Sequence, residues 1–145
     1  MLPTRQSVED FVVQLLAGRA AEEQILGEAG TGSGGNATSD LALSTRYVAT
    51  LYISEGFGED LIYRGDRDDV PIVLARNADI ARAVDAHLKR LYCRAMELSA
   101  ANRHRIRAVA DELMKTRVMD GERFKAVVAA ADATMGTEIG SDRND

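Results

Sequence analysis

Apolar residues recur along this chain at helical rather than alternating spacing. Val8, Phe11, Val12, Leu15, Leu16, Ala20 and Ile25 share one face, which predicts a first helix over residues 8–26. Ser7, followed three residues later by Asp10, resembles a capping box at its start. Gly27 and Gly30 end it, and the stretch "GTGSGGNATS" (30–39) reads as a loop because so many glycines make regular structure costly in entropy. Thr38 or Ser39 then caps a second helix whose inner face is Leu41, Thr45, Val48 and Tyr52, flanked by Ala49 and Ile53. That places Asp40 in the first turn.

The segment "EGFGEDLIYRGDRDDVPIVLARN" (55–77) breaks the pattern with glycines, an acidic knot and Pro71. Its apolar triplets, "LIY" and "IVL", are too short for helices, so the expectation is an irregular connection with room for a short extended pair. Asn77 caps a third helix in which Ile80, Val84, Leu88, Leu91, Ala95 and Leu98 keep one face for about five turns. Asn102 caps a fourth with Ile106, Val109, Leu113 and Met114, and Asp120 a fifth with Phe124, Val127, Val128 and Ala131. Beyond Ala131 the period fades, so residues 1–131 are expected to form the helical body and residues 132–145 a flexible tail. No internal repeat is visible.

Composition agrees with this reading. Of 145 residues, 46% are hydrophobic but only 5% aromatic, with 2 prolines and no tryptophan. Such apolar content is Ala, Leu, Val and Ile, which predicts a mostly α fold, a bundle of about five helices with an irregular middle segment. The length suits a single core. A net charge of −5 disfavours nucleic acid and anionic membranes as partners. No apolar run approaches the roughly 18 residues of a membrane span, and "MLPTRQSVED" has no signal-peptide core, so the polypeptide is expected to be soluble and cytoplasmic. The lone Cys93 fits a half-buried thiol in a reducing compartment.

Little in the sequence carries chemistry by spacing alone. His87 and His104 sit on different predicted helices, with no second histidine four residues away, and define no zinc site. His87 is expected on a helix surface, and His104, within "NRHRIR", on a solvated basic face. A helix-turn-helix reading of that basic strip fails because the following helix offers only Arg123 and Lys125 to a groove. The glycine run is no phosphate loop, since it follows a helix and lacks a Lys-Ser/Thr pair. Asp40, read by itself, is a first-turn acid that complements the helix dipole by about 0.3–1 kcal/mol.

Two stretches taken together change that view of Asp40. "LLAGRAAEEQILGE" (15–28) followed by "SDLALSTRYVATLYISEGFGEDL" (39–61) resembles the peptidase domain of the FtsH-type ATP-dependent zinc metalloproteases. Gly18, Arg19, Ala20, Glu22, Glu23, Gly27, Thr31, Gly32, Ser39, Asp40, Leu41, Gly56, Phe57 and Glu59 match that family's motifs in order. Residues 78–128 are similar to its closing helices, including Asn102-Arg103 and the Asp-Gly-Glu at 120–122. The loop "TGSGGNATSDL" is longer than the family's compact Thr-Gly-Ala-Ser-Asn-Asp.

In that family two histidines of an H-E-x-x-H helix and one aspartate hold the zinc, and the resemblance puts that aspartate at Asp40. Two imidazoles on one helical face, with a carboxylate from another helix, leave the fourth position open for water. Glu22 and Glu23, in the preceding helix, are then candidates to orient the metal-binding histidines. No H-E-x-x-H and no Walker loop occur in these 145 residues. The expectation is therefore the C-terminal part of such a protease, beginning after its metal-binding helix, inactive by itself and holding no zinc alone. The resemblance further implies protein substrates, a homo-hexamer, ATP and Mg bound by an ATPase module, and membrane attachment only through preceding segments, with this domain on the cytoplasmic side. The rival expectation is a stand-alone, non-catalytic assembly or adaptor domain derived from the same fold.

Overall fold

The computed structural model describes residues 3–28, 30 and 34–141. Among them the chain forms six α-helices and no strand: α1 (Arg5–Leu26), α2 (Asp40–Ile53), α3 (Val70–Arg76), α4 (Ala78–Ala101), α5 (Arg103–Thr116) and α6 (Gly121–Ser141). The mostly α reading is correct. The chain divides into two compact units, Met1–Leu98 and Ser99–Asp145.

In the first unit the core is built by Val12, Val13, Leu16 and Ala20 of α1, Val48, Ala49 and Ile53 of α2, Val70 of α3, and Val84, Leu91 and Ala95 of α4. Helix α1 starts earlier than its apolar period suggests. Thr4 is the N-cap and Ser7 its reciprocal partner, with Ser7 N–H donating to Thr4 Oγ1 at 3.2 Å and Thr4 N–H to Ser7 Oγ at 2.9 Å. Ser7 therefore takes part in the capping box from its far end. Gly27 closes α1 at φ 83°, a left-handed position that glycine occupies without strain.

The buried face of α2 is rotated from the expected one. Ser44, Val48, Ala49, Leu51 and Ile53 are buried, whereas Leu41 is exposed. A small polar residue, Ser44, holds a core position that a search for large apolar side chains passes over.

The connection 54–69 is irregular, as expected, but holds no extended pair. Instead it folds back on the end of α2: Phe57 N–H donates to Leu51 O at 2.9 Å, Arg64 N–H to Ile53 O at 2.6 Å and Ser54 Oγ to Gly65 O at 2.6 Å. A 3-10 turn, Arg67–Asp69, leads into α3, which the sequence reading lacks. Gly65, at φ 147°, admits no side chain there, because a Cβ would meet Asp69 Oδ2 at 2.8 Å. Arg67 lies over the Tyr47 ring at 4.3 Å, and Tyr47 meets Phe11 edge-on with centroids 5.1 Å apart.

Helix α4 follows its expected period, and Asn77 Oδ1 accepts from Ile80 N–H at 3.0 Å as its cap. Leu98 is exposed rather than inward. Cys93 is exposed too, two residues past Leu91 and so about 200° around the helix from it.

In the second unit, α5 and α6 form an antiparallel hairpin. Asp120 caps α6 through Arg123 N–H at 2.7 Å, whereas the Asn102 side chain makes no cap bond and accepts from Arg105 Nη1 at 2.8 Å. Asp132 accepts from Arg105 Nε at 2.6 Å and Nη2 at 2.9 Å, and from His104 Nε2 at 2.9 Å. His104 is thus half-buried and paired rather than solvated. Helix α6 continues to Ser141, beyond the expected end at Ala131, and Asp132, the first residue past that end, is held by Arg105 and His104 of α5.

Candidate functional site

Asp40 is the first residue of α2, directly after the N-cap Ser39. The approach is built from short polar residues. Asn36 Oδ1 accepts from Thr38 N–H and Oγ1, both at 2.9 Å, Ser39 Oγ donates to Asn36 O at 2.8 Å, and Ser39 Oγ in turn accepts from Ala42 N–H at 3.3 Å. These bonds consume the capping oxygens of Ser39 and Asn36. The Asp40 side chain is exposed, and among the described residues no hydrogen bond or ion pair engages its carboxylate.

Glu22 and Glu23 both have partners. Glu22 Oε2 accepts from Gly30 N–H at 2.9 Å, which ties the loop back onto α1 eight residues earlier. Glu23 accepts a short hydrogen bond from the Tyr92 hydroxyl of α4, and burial together with that carboxylate pushes the Tyr92 phenol above its ordinary value. One acid therefore anchors the loop that leads to Asp40, and the other fixes α1 to α4. Thr31 and Gly32, matched to the resembled family, lie outside the described residues.

A buried polar cluster was missed by sequence reasoning. His87 is 3% exposed, not on a helix surface. Its Nδ1 lies 3.0 Å from Tyr52 Oη of α2, and its Nε2 lies 2.9 Å from Glu9 Oε1 of α1. Burial pushes the Glu9 carboxyl up, but hydrogen bonds from Arg5 and His87 outweigh it and hold the group below the usual carboxylate range. The signal was present: Val84, His87 and Leu91 are spaced three and four apart, so His87 stands in the apolar stripe of α4.

A cleft of about 760 Å³ opens beside the end of α2, with Tyr52, Phe57, Glu59, Asp60, Arg64 and Ile80 among its lining residues. Asp40, Glu22 and Glu23 are not among them.

Zinc takes three or four nitrogen, sulfur or oxygen donors. Among the described residues no three His, Cys, Asp or Glu side chains converge to hold a metal ion. Both nitrogens of His87 are engaged, and His104 Nε2 is engaged by Asp132. Asp40 offers one accessible carboxylate.

Comparison with known proteins decides the lineage. The sequence profile of Peptidase family M41 matches residues 1–127. The chain belongs to peptidase family M41. Its M41 relatives include the ATP-dependent zinc metalloprotease FtsH 2 of Symbiobacterium thermophilum, 35% identical over 135 residues that cover 90% of this chain and 22% of the relative. The ATP-dependent zinc metalloprotease FtsH of Bacillus subtilis is 28% identical over 137 residues, covering 86% of this chain and 21% of its own length. The chloroplastic ATP-dependent zinc metalloprotease FTSH 8 of Arabidopsis thaliana is 30% identical over 140 residues, covering 88% and 20%. The chain thus spans about a fifth of the length of the curated relatives it matches. Among the described residues no helix is long and apolar enough to cross a membrane.

Proposed function

We propose that this chain is the C-terminal helical part of an ATP-dependent zinc metalloendopeptidase that degrades proteins, and that Asp40 supplies the carboxylate ligand of its zinc. The observation that carries the reading is the exposed, unengaged side chain of Asp40 at the mouth of α2, in a chain matched to family M41 over residues 1–127. Ser39 Oγ already accepts from Ala42 N–H as the N-cap of α2, so the side-chain cap of this helix is supplied without Asp40. The imidazole ligands and the general base come from outside these 145 residues. Bound zinc would acidify a water and polarise the scissile carbonyl.

Within this reading Glu22 acts through the loop, holding Gly30 and hence the approach to Asp40, while Glu23 acts through Tyr92 on the seating of α1 against α4. Protein substrates, a homo-hexameric assembly, an ATPase module that binds ATP and Mg, and a cytoplasmic position are parts of the same proposal. The 145-residue chain alone is inactive.

The test uses the product of the complete coding frame. Asp40→Ala abolishes zinc-dependent hydrolysis of a casein-type substrate while helical content by circular dichroism stays unchanged. Hydrolysis that survives with zinc still bound overturns the ligand assignment. A coding frame without H-E-x-x-H and a Walker loop supports the rival, a non-catalytic assembly or adaptor domain on the M41 fold.

A further inference from the structure

The Tyr52, His87 and Glu9 cluster joins three helices through one imidazole. Tyr52 comes from α2, Glu9 from α1 and His87 from α4, and the bonds measure 3.0 Å and 2.9 Å. The Tyr52 ring also meets the imidazole edge-on, at 81° with centroids 5.8 Å apart. The hydrogen-bond roles are determined by the partners. A carboxylate only accepts, so Nε2 carries a hydrogen and donates to Glu9 Oε1. A neutral imidazole then has its lone pair on Nδ1, which accepts from the Tyr52 hydroxyl.

Protonation removes this arrangement. With a hydrogen on both nitrogens, Nδ1 no longer accepts, so the Tyr52 bond must reverse: Oη accepts from Nδ1–H and the hydroxyl's own hydrogen is left without the imidazole acceptor, in a site where His87 is 3% exposed. The charge has little compensation. Glu9 Oε1 already accepts from Arg5 Nε at 2.9 Å and Arg90 Nη2 at 3.2 Å, so a protonated His87 becomes the third cation on one carboxylate. The charged and titratable groups facing the imidazole are Arg5 and Glu9 from α1, Tyr52 from α2 and Arg90 from α4 itself.

We propose that His87 is an acid-operated joint in the first unit: its neutral form fastens α2 to α1 and α4, and its protonation reverses the Tyr52 bond, adds a third cation to the Glu9 carboxylate and so loosens the end of α2. This device is independent of the role assigned to Asp40, which sits at the opposite end of α2. Burial, reinforced by the Arg90 charge, holds the imidazole below its ordinary 6.5 despite the pull of Glu9, in keeping with that geometry. Because the folded state disfavours the proton, its contribution is complete above 6.5 and is lost as pH falls below it.

Two measurements test the joint. In the wild-type chain, the proton NMR titration of His87 has its midpoint below 6.5, and the Tyr52 ring resonances move with the same midpoint. His87→Gln keeps a donor for Glu9 and an acceptor for Tyr52 but cannot titrate. Between about pH 7.5 and 5.5 the wild-type melting temperature falls, and the variant loses most of that fall. A His87 midpoint at or above 6.5, or Tyr52 resonances that do not follow it, overturns the proposal even if His87→Gln fails to fold. An acid-induced fall that persists undiminished in a folded His87→Gln chain overturns it as well.

Discussion

Ser44 stands one turn beyond Asp40 and is fully buried, yet its hydroxyl has no hydrogen-bond partner among the described residues. Its neighbours on α2 behave differently. Thr45 Oγ1 donates to Leu41 O at 2.8 Å and Thr50 Oγ1 to Arg46 O at 2.7 Å, the usual way a helical hydroxyl satisfies itself. Ser44 instead holds a core position with its polar atom unpaired, which costs roughly 1–3 kcal/mol of desolvation. Ser44→Ala removes that atom and adds about 0.5 kcal/mol of helix propensity, against a small loss of packed volume. The balance is a stabilisation of about 1–2 kcal/mol. In a unit spanning Met1–Leu98, each 1 kcal/mol shifts the melting temperature by roughly 4–8 °C, so the variant melts about 4–16 °C higher by far-UV circular dichroism. A variant that melts lower than wild type refutes the reasoning, because the hydroxyl must then make a stabilising bond, with the Asp40 carbonyl one turn back as the first candidate.

Two further outcomes follow from the ion pairs and hydrogen bonds. Arg105, helped by His104, holds the Asp132 carboxyl at about 2, so its contribution to the α5–α6 hairpin is complete above the ordinary 3.8 and is lost as pH falls through about 2. Thermal melts of the chain therefore show an acid limb between about pH 4 and 2 that Asp132→Asn diminishes, and an unchanged limb contradicts the pairing. Tyr92→Phe removes the donor to Glu23 and destabilises the first unit by about 1 kcal/mol in urea unfolding, the half-buried setting reducing the value of a charge-assisted bond.

Much of the helical fold was legible because long helices repeat their period often enough to be recognised. The stripe from Ile80 to Ala95 of α4 fixed both the element and its inner face. Helix α3 was not legible, since Val70–Arg76 covers about two turns and Pro71 and "IVL" suggest an extended piece. Proline is nevertheless well suited to the first turn of a helix, where its missing N–H has no partner to lose. His87 and Ser44 were hidden for a common reason: polar residues inside an apolar stripe are satisfied or stranded by partners distant in sequence, and Glu9 lies 78 residues from His87. Asp40 drew attention only through its M41-like surroundings. Its position at the start of α2 was predictable from Ser39, but the roles of Glu22 and Glu23 as ties to Gly30 and Tyr92 needed the three-dimensional structure.

The central claim is that Asp40 completes a zinc site whose other ligands lie outside these 145 residues, and zinc stoichiometry tests it most directly. Metal analysis of the complete gene product is expected to give one zinc per chain, falling by at least about tenfold in Asp40→Ala, with the 145-residue chain alone holding none. Full zinc occupancy in Asp40→Ala, or tight one-to-one zinc binding by the 145-residue chain, would contradict the account.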